Sequence, residues 1–406
     1  IEIGGTIGDI EGLPFVEAIR QLGNELGHDH SVFVHVTLVP YIASAAEAKT
    51  KPTQHSVGEL RRIGIQPDVL LCRTERPLSR EVRAKIGLFC NVAEDAVIQA
   101  RDVSTVYEVP LMFREQGLDE VLVRRLKLPA KGHVDMKQWT RLVGRVKHPA
   151  GEVALAVVGK YVELKDAYKS IAESLTHAGA AANVRVNVRW IDSERIEQEG
   201  ASLLTGLHGV LIPGGFGDRG IEGKISAIRW ARERKIPFFG ICLGMQLACI
   251  EFGRNVLGLR RANSTEFDPA SPHPVIDLMR DQKHVRDLGG TMRLGSYPCR
   301  VAKPSTALKA YGKEVVFERH RHRYEFNNAY REQFAGGGLK FSGLSPDGRL
   351  VEIVELPGHP WFVAGQFHPE FQSRPMSPHP LFREFVRAAL EHARRRPNHA
   401  GNGNGR

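Results

Sequence analysis

The sequence predicts an α/β protein built from two doubly wound, mainly parallel-sheet domains. Two stretches of the chain each alternate strand-like apolar runs with segments of helical recurrence, which is typical of parallel sheets covered by helices. A segment rich in proline, glycine and basic residues separates the two stretches. Of the 406 residues, 42% are hydrophobic and 25% are charged, a composition typical of globular domains with sizeable cores.

The first series of elements occupies residues 1–127. A helical recurrence in "GLPFVEAIRQLG" opens near a proline, the runs "SVFVHVTLVPYI" and "PDVLLCRT" read as strands, and "REVRAKIGLFCNV" reads as a helix. The opening "IEIGG" resembles the last turn of a strand. We therefore expect this domain to lack its N-terminal part.

Residues 128–151 read as a linker, and residues 396–406, "RPNHAGNGNGR", read as a disordered tail that cannot build a core. The second series occupies residues 152–395. Its strand-like runs include "EVALAVVGKY", "HGVLIPGG" and "IPFFGIC", with "IEGKISAIRWARERK" as an intervening helix. Ligands of such sheets bind at the carboxyl ends of the strands, where "PGGFG" and Cys242 both lie.

Composition excludes several classes of protein. No apolar run reaches the length of about 18 residues that spans a bilayer, and no secretion signal opens the chain, so we expect a cytoplasmic protein without membrane contact. The five cysteines are scattered and form no CxxC pair, which predicts neither disulfides nor a zinc site. The formal net charge of +10 favours anionic partners without distinguishing nucleic acid from phosphorylated small molecules.

Cys242 occupies the centre of "GICLG", where a predicted strand runs into a predicted helix. This is the cysteine form of a nucleophile elbow, in which small flanking residues permit a strained turn and expose the nucleophile. The N-terminus of a helix also favours a thiolate. A buried core thiol is the alternative, and the two glycines argue against it.

The segment "GQFHPEF" supplies a base and an orienting group for such a nucleophile. His368 and Glu370 are two residues apart on an extended segment, so their side chains lie on the same side. Acyl transfer also needs N–H donors for an oxyanion, and we expect these from Leu243 and Gly215. The alternatives are an incidental surface pair and an ordinary glycine-rich loop.

The motifs "PGGFGDRG", "GICLGMQ", "NSTEFD", "LGGTMRLG", "ERHRHRYEFNN" and "GQFHPEF" resemble, in this order, the glutaminase domain of the CTP synthase family. The first domain resembles the amidoligase domain of that family through "EIGGTIGDIEGLPFVEAIRQ", "KTKPTQHSV" and "RAKIGLFCNV". The resemblance implies a P-loop-like amidoligase domain followed by a class I glutamine amidotransferase domain.

The resemblance implies ATP-dependent amination of UTP to CTP, with ammonia supplied by glutamine hydrolysis at a Cys242, His368 and Glu370 triad. It also implies Mg²⁺ with ATP, feedback inhibition by CTP, activation by GTP and a homotetramer. The glutamine contacts that it implies are Gly215, Leu243, Gln246, Glu266 and Arg323. The basic run around Arg323 is alternatively a solvated strand.

In the first domain the resemblance implies a magnesium ligand at Glu2 and two groups of nucleotide contacts. The UTP and CTP contacts are Asp9, Ile10, Glu11, Lys49, Thr50, Lys51, Pro52, Thr53, Gln54 and Lys85. The alternative for "KTKPTQ" is a surface loop. No G-x-x-x-x-G-K-[ST] motif occurs in the chain, so we expect it to lack the ATP phosphate loop and to retain only glutaminase chemistry.

Two other functions remain open at this point. One is a stand-alone glutaminase or an amidotransferase for another acceptor, which UTP would not protect against heat or protease. The other is a basic nucleic-acid-binding scaffold with an inert Cys242, which would bind RNA with a steep salt dependence. The basic residues are spread through the substrate motifs and no aromatic RNA-binding motif is visible, so we expect no nucleic-acid partner.

Overall fold

The computed structural model describes residues 1–129, 132, 134–160, 165–278 and 292–395. The chain forms two compact units, Ile1–Val143 and Gly144–Arg406. The division falls inside the predicted linker, which contains the helix Lys137–Lys147. The predicted tail, residues 396–406, lies outside the described residues.

The first unit is built on a parallel sheet of three strands in the order β1-β4-β5. Its strands are β1 (Val34–Leu38), β2 (Tyr41–Ile42), β3 (Glu47–Ala48), β4 (Val69–Thr74) and β5 (Val97–Arg101). Its helices are α1 (Leu13–Leu26), α2 (Lys51–Arg62), α3 (Arg80–Cys90), α4 (Val109–Glu115) and α5 (Leu118–Arg125), and α6 (Lys137–Lys147) ends beyond the division. Leu70, Ile86 and Ile98 are buried at its core, as the alternation of strands and helices predicts.

The second unit contains a larger sheet, in which the described strands follow the order β13-β12-β15-β16-β17-β9-β8-β6-β7. Its first strands are β6 (Glu152–Gly159), β7 (Arg185–Asp192), β8 (Gly209–Ile212), β9 (Phe238–Ile241), β10 (Ala262–Ser264) and β11 (His273–Leu278). The later strands are β12 (Arg293–Val301), β13 (Val315–His322), β14 (Tyr324–Phe326), β15 (Lys340–Leu344), β16 (Val351–Glu355) and β17 (Phe362–Gly365). Strands β10, β11 and β14 form a separate small sheet.

The large sheet changes direction at β17. Strands β17, β9, β8, β6 and β7 are parallel, whereas β16, β15, β12 and β13 extend the sheet with antiparallel pairs. Only residues 345–350 connect β15 to β16, and so short a connection cannot return the chain to form a parallel pair. Strands β12, β13, β15 and β16 therefore form the antiparallel part of the sheet.

Helices cover both faces of the large sheet, as a doubly wound fold requires. The helices of this unit are α7 (Lys169–Ala182), α8 (Ser193–Glu199), α9 (Ile221–Glu233), α10 (Leu243–Asn255), α11 (Thr306–Tyr311), α12 (Arg331–Gly336) and α13 (Pro380–Arg395). One core cluster holds Ile228 and Leu247 from α9 and α10, and another holds Leu175 and Phe385 from α7 and α13. No helix among the described residues has the length and apolar composition that crossing a membrane requires.

Candidate active site

Cys242 lies at the sharp turn between β9 and α10. It is the N-cap of α10, with φ of 51° and ψ of −101°, a conformation that side-chain-bearing residues rarely adopt. A Cβ at Gly240 would lie 2.8 Å from the Cβ of Ala364, and a Cβ at Gly244 would collide with the carbonyl oxygen of Ile212. The two glycines therefore permit the close packing that holds this turn.

Cys242 is only 5% exposed, so the prediction that the elbow exposes the thiol is wrong, although polar groups contact its sulfur. Its Sγ donates to the carbonyl oxygen of Arg321 at 3.9 Å and accepts from Nε2 of Gln366 at 3.7 Å. A pocket of about 70 Å³ reaches the residue. Its lining consists of Gly215, Phe216, Cys242, Gln246, Glu266, Met292, His322, Arg323 and Tyr324.

His368 and Glu370 form the second part of the site. The imidazole Nδ1 donates to Oε1 of Glu370 at 2.7 Å, and the backbone N–H of His368 donates to the carbonyl oxygen of Arg319 at 2.7 Å. Burial lowers the pKa of His368, but interactions with the Cys242 sulfur and with Glu370 outweigh burial and raise that pKa to about 10. The structure thus brings the three predicted triad residues together.

The predicted oxyanion donors lie beside the sulfur. Leu243 begins α10, so its N–H has no intrahelical acceptor, and no hydrogen bond among the described residues uses it. A Cβ built on Gly215 would lie 3.5 Å from Cδ2 of Leu243. The turn that contains Gly215 therefore lies against the side chain of Leu243 at the N-terminus of α10.

Lys160 holds the "PGGFG" turn from the end of β6. Its Nζ donates to the carbonyl oxygens of Phe216 at 2.6 Å and Gly217 at 3.0 Å, and burial lowers its pKa. On the other side, Oε1 of Glu266 accepts from the N–H of Gly217 at 3.3 Å. The loop is thus fixed between a cation and a carboxylate.

Three predicted glutamine contacts offer complementary groups to a zwitterion. Nε of Arg323 is buried and has no hydrogen-bond partner among the described residues. Burial raises the pKa of Glu266, although the Gly217 N–H, Lys160 and Arg323 oppose that effect. Gln246 donates from Nε2 to the carbonyl oxygen of Tyr324 at 2.9 Å. The pocket therefore presents an unsatisfied donor and a half-buried carboxylate.

Sequence reasoning missed four residues at this site: Gly214, Lys160, His322 and Gln366. A Cβ at Gly214 would lie 2.7 Å from Cε1 of His368, so this position requires glycine. His322 lies in the basic run around Arg323, where Arg and His alternate in the sequence. That alternation was the available signal, because buried and exposed residues alternate along β13. The motif "LGGTMRLG" spans residues 288–295, of which 288–291 lie outside the described residues.

In the first unit the predicted uridine-site residues cluster at the N-terminus of α2. Thr50 is the N-cap, Gln54 donates to its Oγ1 at 3.1 Å, and Lys51 and Pro52 are exposed at the first turn. Nζ of Lys51 lies 6.0 Å from the ring centre of Phe89 on α3. The exposed Lys85 lies on the same helix, one turn before Phe89. The structure therefore brings the residues predicted at the start of α2 close to the helix that carries Lys85.

Two residues of that group have partners within the first unit. Lys49 pairs with Glu47, and Thr53 is fully buried, with its hydroxyl donating to the carbonyl oxygen of Leu38 at 3.0 Å. Thr53 is thus an interior residue rather than an exposed one. Its contact with a nucleotide stays an untested prediction.

The predicted magnesium and feedback residues lie at the exposed start of the first unit. Glu2, Asp9, Ile10 and Glu11 are all exposed. Among the described residues no group of three or more His, Cys, Asp or Glu side chains gathers to hold a metal ion. Glu2 alone does not form a magnesium site, so no chemical step is assigned to the ion here.

Two family models match the chain. The model "CTP synthase N-terminus" matches residues 1–128, and the model "Glutamine amidotransferase class-I" matches residues 163–388. The first match does not confirm the prediction that part of the N-terminal domain is missing. It also gives no support to the predictions that the chain lacks the ATP phosphate loop and retains only glutaminase chemistry.

Two curated relatives are called CTP synthase. The protein of Carboxydothermus hydrogenoformans is 60% identical over 391 residues, which cover 96% of this chain and 73% of the relative. That of Moorella thermoacetica is 60% identical over 392 residues, covering 97% and 73% respectively. Among solved structures, the Trypanosoma brucei CTPS glutaminase domain with bound acivicin is 41% identical, with a TM-score of 0.56, covering 59% of this chain and 94% of that one.

Proposed function

The chain belongs to the CTP synthase family, and on that premise we propose that it is a glutamine-hydrolysing CTP synthase. It aminates UTP to CTP at the expense of ATP, with ammonia taken from glutamine. The observation that carries the glutaminase half is the strained Cys242 beside the His368 and Glu370 pair, at the end of a pocket with zwitterion-binding groups.

Hydrolysis begins when the Cys242 sulfur attacks the side-chain carbonyl carbon of glutamine. The N–H groups of Leu243 and Gly215 stabilise the oxyanion, and the protonated His368 gives its proton to the departing ammonia. The remaining thioester is cleaved by water, whose proton passes to His368 while the thiolate leaves. Glutamate and ammonia are the products, and Glu370 holds the imidazole throughout.

The pocket selects the free amino acid by charge. The carboxylate of Glu266 receives the substrate ammonium, and the guanidinium of Arg323, whose Nε is buried, receives the substrate carboxylate. Gln246 adds a side-chain oxygen that no described hydrogen bond uses. This arrangement supports L-glutamine rather than a protein-bound amide as the substrate.

The synthetase half rests on the first unit and on family membership. UTP contacts at Lys49, Thr50, Lys51, Pro52, Thr53, Gln54 and Lys85 stay predictions, as do CTP contacts at Asp9, Ile10 and Glu11. The nucleotide substrate ATP acts with Mg²⁺ in this proposal, and Glu2 would contribute one ligand. CTP inhibition, GTP activation, a tetrameric state and a cytoplasmic location also stay predictions.

The decisive test supplies the purified chain with UTP, ATP, Mg²⁺ and glutamine labelled with ¹⁵N at the amide. We expect labelled nitrogen at the exocyclic amine of CTP, together with glutamate, measured by mass spectrometry. Release of labelled ammonia without CTP would instead favour the stand-alone glutaminase. Failure of UTP to protect the first unit from protease would favour another acceptor.

Substitution of Arg323 tests the assignment of substrate recognition. Arg323→Gln should raise the KM for glutamine roughly tenfold to a hundredfold, because it removes a charged hydrogen-bond donor to the substrate carboxylate. The kcat should change far less. Arg319, which is exposed on β13 three positions before the pocket-lining His322, supplies the control Arg319→Gln. Equal effects of both substitutions would contradict the assignment.

A further inference from the structure

Gln366 is a buried polar residue that contacts the Cys242 sulfur and that the proposed reaction leaves unexplained. It follows β17, two residues before His368, and its side chain is 0% exposed. Nε2 of Gln366 lies 3.7 Å from Sγ of Cys242, a hydrogen-bonding distance for sulfur. Its Oε1 accepts from Nε2 of Gln246 at 3.3 Å.

The hydrogen bonds around Gln246 fix which end of the Gln366 amide meets the sulfur. Nε2 of Gln246 must face the carbonyl oxygen of Tyr324 at 2.9 Å, because that oxygen can only accept. The second hydrogen of the same nitrogen then points to Oε1 of Gln366. A flipped Gln366 amide would set two N–H donors against each other and place its oxygen on the sulfur.

The carbonyl oxygen of Tyr324, which accepts from Gln246, also accepts a hydrogen bond from His322. Nδ1 of His322 lies 3.0 Å from it and must carry a hydrogen, since the partner is an acceptor. Nε2 of the neutral His322 ring is then an acceptor, and it lies 3.1 Å from Nδ1 of His320, which Nη1 of Arg293 also approaches at 3.4 Å. Burial lowers the pKa of both rings, which keeps them neutral and leaves the His322 hydrogen on Nδ1, facing the Tyr324 carbonyl.

We propose that Gln366 is a further catalytic residue, whose amide N–H donates to the Cys242 sulfur and stabilises it as an anion. This role rests on the proposed glutamine hydrolysis. The thiolate exists both before attack and on leaving the thioester, so the same N–H group serves both steps. Gln246 acts through Gln366 as a positioning residue, because it fixes the direction in which the amide points.

The test replaces Gln366 by methionine, which is similar in length but donates no hydrogen bond. We expect the pH midpoint of Cys242 alkylation by iodoacetamide to rise by about one unit, the effect of losing one hydrogen bond to a charged group. The rate is followed by mass spectrometry of the peptide that contains Cys242. The turnover of glutamine should fall roughly tenfold, with little change in KM.

Other ionisable groups near the sulfur are untouched by this substitution, so the shift reports on the amide. They are His320, His322, Glu266, Arg323, His368 and Glu370. The control is Gln372→Met, which removes an amide that donates to Phe317 and Glu318 instead of the sulfur. It should leave the alkylation midpoint unchanged.

Gln366→Glu provides a second variant of almost identical shape in case the methionine variant does not fold. Its carboxylate repels an anionic sulfur, so the midpoint should rise further than in Gln366→Met. An unchanged midpoint in either folded variant would overturn the proposal. Alkylation needs no substrate, so a wild-type protein that fails to hydrolyse glutamine would disprove the proposed function while this contact is still tested.

Discussion

The substitution Cys242→Ala should abolish the release of ammonia from glutamine, with a loss of roughly 10⁴-fold or more. No other described side chain at the pocket can form the thioester, because Cys242 alone combines a nucleophilic atom with the N-terminus of α10 and the His368 ring. Ammonia release is measured directly from glutamine. A glutamine-derived electrophile should label the wild type at Cys242 and leave the variant unlabelled.

Two controls separate loss of the nucleophile from loss of the fold. Cys249→Ala changes a fully buried thiol on the same helix. Burial raises the pKa of this thiol, which does not line the pocket at Cys242, so hydrolysis should persist. CTP formation from free ammonium should also persist in Cys242→Ala, because only the supply of ammonia needs the thiol. Loss of both activities in Cys242→Ala would contradict this division of labour.

The chemistry of the elbow could be predicted from the sequence because it depends on local geometry. A strand, two glycines around Cys242 and a following helix are all readable in "FFGICLGMQ", and the structure contains each of them. The pairing of His368 with Glu370 was also predicted, but the extended segment expected there is wrong, because Pro369–Phe371 form a short 3-10 helix in which the two side chains still come together. Such features need no knowledge of the tertiary fold.

The residues that hold the catalytic site in place could not be predicted, because they contact it from distant parts of the chain. Lys160 is 56 positions from Phe216 in sequence, and Gln366 is 124 positions from Cys242. No periodicity or spacing links residues so far apart. Similarly, β17 pairs with β9 on one side and β16 on the other, which sets the switch from parallel to antiparallel pairing. Only the assembled sheet reveals these neighbours.

Substitution of His368 by glutamine should lower glutamine hydrolysis roughly 10²-fold to 10⁴-fold, the usual contribution of a general acid and base. The raised pKa of His368, about 10, keeps the ring protonated at neutral pH, and the ring loses that proton as the pH rises through this value. A proton is therefore available to the departing ammonia. The measurement is the rate of ammonia release from saturating glutamine, which in the wild type should not fall between about pH 7 and 9.

His379 provides a matched control, because it is also a buried histidine paired with a glutamate. Its Nε2 lies 2.9 Å from Oε1 of Glu318, and its side chain is 4% exposed, but its ring packs against Tyr311 and Phe382, whereas that of His368 interacts with the Cys242 sulfur. His379→Gln should cost stability, as removing half of any buried pair does, and should leave the turnover of the folded protein near that of the wild type. If both histidine variants lost activity in proportion to their lowered melting temperatures, the role of His368 would be structural. A loss of turnover confined to His368→Gln would instead indicate proton transfer at this ring. Burial and a carboxylate partner are common to the two histidines, and of the two only His368 interacts with the Cys242 sulfur.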